Sequence, residues 1–179
     1  MGHIRSTAGN VASKLTASQL TIIIIRLIEA CASFLVSKGL IKKREEFFSQ
    51  TPPKEAPTLI IAWIMNDCDA INLDGTAKDS STVRSSYTHA QKMHASMTYV
   101  FGRMYGLGSL PWHYDNTQDL MVGNPSVSEK VSSYMVSLRR RKVQAGEVAS
   151  SARAITPVHS KHCLSTNHTQ PHSSLFLLF

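Results

Sequence analysis

Residues 126–147 read SVSEKVSSYMVSLRRRKVQAGE, and their spacing decides the fold class. Val127, Val131, Tyr134, Met135 and Leu138 recur at four, seven, eight and eleven, which is one face of an α-helix. Ser126-Val127-Ser128-Glu129 matches a capping box, in which a serine hydroxyl and a glutamate carboxylate satisfy amides that a helix start leaves unpaired. Asn124-Pro125 offers an alternative start, with proline at the first helical position. Gly146 predicts the end. The run Arg139-Arg140-Arg141-Lys142 closes the helix and admits two readings. Cations complement the C-terminal end of a helix dipole by ~0.3–1 kcal/mol each, so a solvated helix end is sufficient explanation. The same run would also neutralise phosphates.

Upstream, Ser85 to Tyr105 carries a second helical stripe, Tyr87, Ala90, Met97, Phe101 and Met104. At 100° per residue, Ser85, His89, Lys92, Ser96, Tyr99 and Arg103 gather on another face, so this helix has a core side and a cationic side. His94 falls among the apolar positions and reads as a satisfied boundary histidine rather than a ligand. The connection LGSLPWHYDNTQDLMVGNP (107–125) is rich in Gly, Pro and Asn and reads as a loop from which Leu110 and Trp112 fold back onto the core.

Further upstream, Leu59 to Ile71 forms another amphipathic helix with Ile60, Trp63, Ile64 and Ile71 inward, followed by a loop at NLDGTAKDSST. Asp67, Asp69 and Asp74 do not share a helix face and read as solvated charges at a helix end. Cys68 reads as a small buried residue rather than a nucleophile. The prolines of TPPKEAP (51–57) suggest a linker and a domain boundary near residue 55. Residues 20–41 hold the most apolar stretch; Ile24, Leu27, Ile28, Cys31, Phe34 and Leu35 mark one helix face ended by Gly39, although the β-branched run Ile22–Ile25 also suits a buried strand. Arg26 and Glu29 near its middle oppose a membrane span, each costing roughly 2.5–3.5 kcal/mol on insertion scales.

The whole chain has 179 residues, long enough for one domain with a core plus tails. Nineteen Lys and Arg against twelve Asp and Glu leave a net charge of +7, which favours a polyanionic partner. Cys31, Cys68 and Cys163 are far apart and odd in number, which suits a reducing compartment and no disulfide framework. No phosphate-cradling GxxxxGK[ST], dinucleotide GxGxxG, HExxH or GxSxG motif occurs, so common cofactor-dependent and hydrolytic chemistries have no sequence support, and no cofactor is expected. His159, His162, Cys163, His168 and His172 are capable of binding metal but match no finger spacing; a disordered His-rich tail over residues 158–179 is the simpler reading.

SSYTHAQKMHASMTYVFGRMYGLGSLPWH (85–113) and MVGNPSVSEKVSSYMVSLRRRKVQAGEVASSARAITP (121–157) resemble the N-terminal region of fungal tyrosine recombinase-like proteins of Crypton-type mobile elements, and CDAINLDGTAKD (68–79) is similar to the stretch preceding it. The resemblance covers roughly residues 59–157. It implies an all-α core-binding domain: a four- to five-helix bundle similar to the SAM-like domain of lambda-type integrases, here over residues 56–157, with residues 1–55 as leader, extra N-terminal helix and linker. It implies a duplex-DNA partner, a nuclear location and association with a homologous full-length recombinase; from Arg26 and Glu29, no integral membrane span is expected. The matching cations are Lys92, Arg103, Arg139, Arg140, Arg141, Lys142 and Arg153. The catalytic arginines, His-x-x-Arg element and tyrosine nucleophile of that family would follow the ITP segment; residues 158–179 contain neither arginine nor tyrosine, so the expectation is a DNA-gripping chain that is not an enzyme. The alternative is a protein- or membrane-surface-binding chain that uses the apolar helix at 20–41.

Overall fold

The computed structural model describes residues 17–147. Within them the chain is mostly helical: α1 (Ala17–Ser37), α2 (Arg44–Phe47), α3 (Ala56–Cys68), α4 (Tyr87–Tyr99) and α5 (Glu129–Gln144). A small antiparallel hairpin, β1 (His113–Asp115) with β2 (Leu120–Val122), sits between α4 and α5 where the sequence predicts only a loop. The Asp115 carboxylate accepts the Thr117 amide and holds the turn, and Asp119 takes a left-handed φ of 55°. Leu110, expected in the core, is exposed, and Trp112 is half-buried with its indole N–H unpaired.

The Ile22–Ile25 run is helical. α1 stops at Gly39, whose φ of 65° lets Leu40 N–H reach Leu35 O at 2.9 Å and its own N–H reach Val36 O at 3.0 Å, the two bonds of a Schellman end. α5 repeats the device: Gly146, at φ 84°, bonds Val143 O, and Glu147 bonds Lys142 O.

No domain boundary falls at residue 55. Pro57 occupies the first turn of α3, where a missing N–H costs nothing, and both Ala56 and Pro57 are buried. Phe47 and Phe48 on the N-terminal side pack against Phe101, with ring centroids 5.3 and 5.8 Å away, and Phe48 stacks on Tyr105. Ile28, Cys31, Ala32 and Leu35 of α1 enter the same core as Ile60, Trp63 and Ile64 of α3. Prolines at a helix start and prolines in a linker look alike in sequence; the buried aromatic pair beside them decides between the two. By length and composition α1 could cross a membrane, yet it supplies four buried residues to this core. Residues 148–157 of the expected domain, the tail at 158–179 and its metal-capable side chains lie outside the described residues.

α4 gives way to a π-helical turn at Val100–Met104. A π turn adds one residue to the helical period, so the apolar face passes from Met104 to Tyr105. Met104, predicted inward, is 56% exposed, whereas Tyr105 packs on Phe101 and Phe48. The turn also brings Gly102 against the following chain: a Cβ there would lie 2.8 Å from Gly108 O.

Asn124 joins these pieces. Fully buried, it donates from Nδ2 to Thr98 O and Gly108 O at 3.1 Å each, and its Oδ1 accepts the Ser126 amide at 3.0 Å. His94 Nε2 lies 3.0 Å from Ser126 O, and Thr98 Oγ1 lies 2.8 Å from Ser126 Oγ. Pro125–Val127 is a 3-10 turn capped by Asn124, and α5 is capped by Ser128, whose hydroxyl accepts the Val131 amide. The capping box at Ser126 is therefore not formed, because the Ser126 side chain is committed to α4.

Gly123 precedes this hub at φ 92°, and a Cβ on it would lie 2.3 Å from Pro111 O. Gly123→Ala is expected to lower stability by at least about 3 kcal/mol, combining left-handed strain with a backbone clash, whereas Gly39→Ala, with open space around it, loses about 1–2 kcal/mol. Urea denaturation midpoints of the two variants check the difference.

Candidate nucleic-acid interface

The core-facing stripe of α5 continues into its basic run. Val131, Met135 and Leu138 are buried. At 100° per residue, Arg141 and Lys142 lie three and four positions beyond Leu138, back at the edges of that face, while Arg139 and Arg140 point about 100° and 200° away. The four cations therefore have two different fates.

Arg141 reaches Asp69, the residue ending α3. Its Nε and Nη2 donate to the carboxylate at 3.2 and 2.5 Å, Tyr134 O–H donates to the same group at 2.9 Å, and the Ala70 amide completes the set at 2.8 Å. Asp69 is 1% exposed, which corrects its expected place as a solvated helix-end charge. A bare carboxylate there would be costly to bury; four donors, two of them on the guanidinium, compensate it. Burial pushes the Asp69 carboxyl up, but the bonds from Arg141 and Tyr134 outweigh that and hold it below its ordinary 3.8. The Tyr134 hydroxyl is raised by burial and by the carboxylate beside it.

Lys142 is also engaged. Its Nζ donates to Ser85 O at 2.7 Å and lies 3.4 Å from a Glu147 carboxylate oxygen. The Glu147 carboxylate in turn accepts the Tyr87 amide at 2.6 Å, so an acid delivered by the glycine-ended α5 caps the start of α4. The Cys68 thiol nearby is buried and pushed up to about 12 by desolvation and by Asp67, which leaves it a packing residue.

Arg139 and Arg140 are exposed, and neither hydrogen-bonds or ion-pairs with another described residue. With Tyr87, Val136, Val143 and Gln144 they line an open cleft of about 460 Å³. Arg84, which sequence reasoning passed over, is exposed on a second depression of about 440 Å³ together with Arg141 and Lys142. Its loop position gives no periodicity to flag it.

Lys92 and Arg103 are both exposed, but the π turn separates them. Lys92 borders an apolar cleft against Leu20, Ile23 and Ile24 of α1, whereas Arg103 borders another beside Gly102, Gly108 and Ser109; Ala95 and Tyr99 are shared by both. The single cationic face predicted for this helix is thus two flanks of Tyr99, and Ser96 within it is buried with its hydroxyl bonded to Lys92 O. Arg153 lies outside the described residues. Among those described, no three His, Cys, Asp or Glu side chains gather as a metal site. No protein-family model, curated protein or solved structure matches the chain.

The Asp69 cluster carries a pH signature. Because its folded-state carboxyl titrates below its unfolded value, the stabilisation is complete above about 3.8 and is lost as pH falls through the lower folded value. Asp69→Asn is expected to cost about 3 kcal/mol at neutral pH, the low end for breaking a buried pair because Arg141 is one-third exposed, and to flatten the acid limb of stability against pH. Thermal melts from neutral pH down to pH 2.5 read both effects; an unchanged acid limb would remove Asp69 from the pH dependence.

Proposed function

We propose that the chain is a non-catalytic, helical DNA-binding module of the integrase core-binding kind, related to the tyrosine recombinases of mobile elements and acting on nuclear duplex DNA. Its grip on phosphates is centred on Arg139 and Arg140, with Lys92 and Arg103 contributing from α4 and Arg153 from beyond the described helices. Arg141 and Lys142 serve by holding the helix that presents the first two. A homologous full-length recombinase is the partner that would supply cleavage.

The observation that carries this reading is the division of the basic run. Two consecutive arginines remain exposed and, among the described residues, unpaired beside the half-buried ring of Tyr87, on a helix whose next two cations are bonded to the rest of the fold. A guanidinium pair held on a rigid helix suits bidentate contact with phosphate oxygens. The arrangement offers phosphate contacts rather than a row of side chains aimed at base edges, so sequence preference is expected to be weak.

Arg139→Ala/Arg140→Ala is expected to weaken binding to a labelled duplex and to reduce the slope of log affinity against log salt by roughly 2, about 0.9 for each phosphate no longer neutralised, with the urea midpoint unchanged. Arg141→Ala should do the reverse, lowering the urea midpoint at full occupancy of the folded state while leaving the slope alone. Anisotropy titrations at several salt concentrations decide the matter, and an unchanged slope in the double variant would exclude Arg139 and Arg140 from binding.

A further inference from the structure

α1 buries one side and leaves a continuous stripe on the other. At 100° per residue, Ile22, Ile25, Arg26, Glu29, Ser33 and Val36 fall within a sector about 100° wide, on the side away from the buried Cys31 and Leu35. Ile22, Ile25 and Val36 are 49%, 50% and 45% exposed. So much aliphatic surface in one line marks a contact face. Its composition says with what. A lipid surface would be met at the middle of the stripe by Arg26 and by Glu29 with its partner Arg44, charges that would have to be dehydrated against lipid. A second protein helix can compensate them.

We propose that this stripe is the interface of a symmetric dimer, in which α1 packs antiparallel against α1 of a second copy of the chain. The stripe is self-complementary about a two-fold axis passing midway between residues 26 and 29. In that register Arg26 of each copy faces Glu29 of the other, so the two central charges are paired twice. Ile22 lies opposite Ser33 and Ile25 opposite Ala30, so these two bulky side chains meet small ones, while Val36 lies opposite Gln19. Arg26 has no ion pair within the described chain, whereas Glu29 already bonds Arg44 of its own copy and would be shared between two guanidinium groups. The repeated surface of a two-fold contact is the commonest way for identical chains to associate. The core side of α1 is untouched by this packing, so the monomer fold and the dimer do not compete, and the interface does not depend on the DNA-binding role proposed for α5.

Sedimentation equilibrium of the full chain across a dilution series tests the dimer. The expected mass is twice the 19.7 kDa of one chain, falling to one chain mass on dilution. Ile22→Glu/Ile25→Glu, altering only exposed positions, is expected to remain monomeric at every concentration with an unchanged circular dichroism spectrum. Arg26→Glu should weaken association at least about tenfold by placing like charges opposite each other twice, and adding Glu29→Arg should recover most of that loss. A parent that is monomeric throughout overturns the proposal, and flotation of that monomer with anionic vesicles would assign the face to lipid instead. A double charge-reversal variant weaker than Arg26→Glu alone overturns the antiparallel register.

Discussion

The buried carboxylate of Asp69 is the constraint around which the C-terminal half of the fold is arranged. A charge at 1% exposure at the end of α3 is tolerable only if donors reach it, and three of its four bonds come from one helix sixty-five and more residues later in the chain. Meeting that demand fixes both the rotation and the axial position of α5, because Tyr134 and Arg141 are separated by seven residues and lie on one face only when the helix is in phase. A hydrophobic stripe alone would let α5 slide by a turn; a bidentate guanidinium and a phenol aimed at the same carboxylate do not. The surface at the other side of α5 is then determined as well, which is why Arg139 and Arg140 are presented together beside Tyr87.

The two ends of α5 are tied down by different chemistry. At its start, Asn124, Ser126 and Ser128 engage α4 and the helix's own first amides, so polar side chains satisfy backbone groups that apolar ones would leave unpaired. At its end, the left-handed Gly146 turns Glu147 onto the first turn of α4. α4 is consequently bonded to both ends of α5, and the π turn that follows it supplies the close approach of Gly102 to Gly108 that makes room for Asn124. The hub and the cluster together leave little freedom in how the basic surface is displayed.

Much of this was legible in the residues. The stripes of α3, α4 and α5, the helix ends at Gly39 and Gly146 and the boundary role of His94 follow from periodicity and residue chemistry. Most of what periodicity missed concerns a long-range partner. Asp69 looks like any helix-end acid until Arg141 is placed against it, although the position of Arg141 three residues after Leu138 already pointed it inward. Ser126 looks like a helix cap until Thr98 and His94 claim it. The prolines at 51–57 look like a linker until Phe47 and Phe48 just before them pack against Phe101. The π turn has no signature in composition, so an unbroken α-helical period puts Met104 and Arg103 on faces they do not occupy.

One measurement bears on the division of labour within the basic run more directly than any affinity. Arginine side-chain NMR resolves each guanidinium while duplex DNA is titrated in. Arg141 should give a protected, slowly exchanging Nε–H signal in the free protein that does not move on adding duplex, whereas Arg139 and Arg140 should be averaged by rapid rotation and become shifted and slowed. Signals of all three moving together, or Arg141 responding while Arg139 and Arg140 do not, would contradict the assignment of one pair to the fold and the other to the partner.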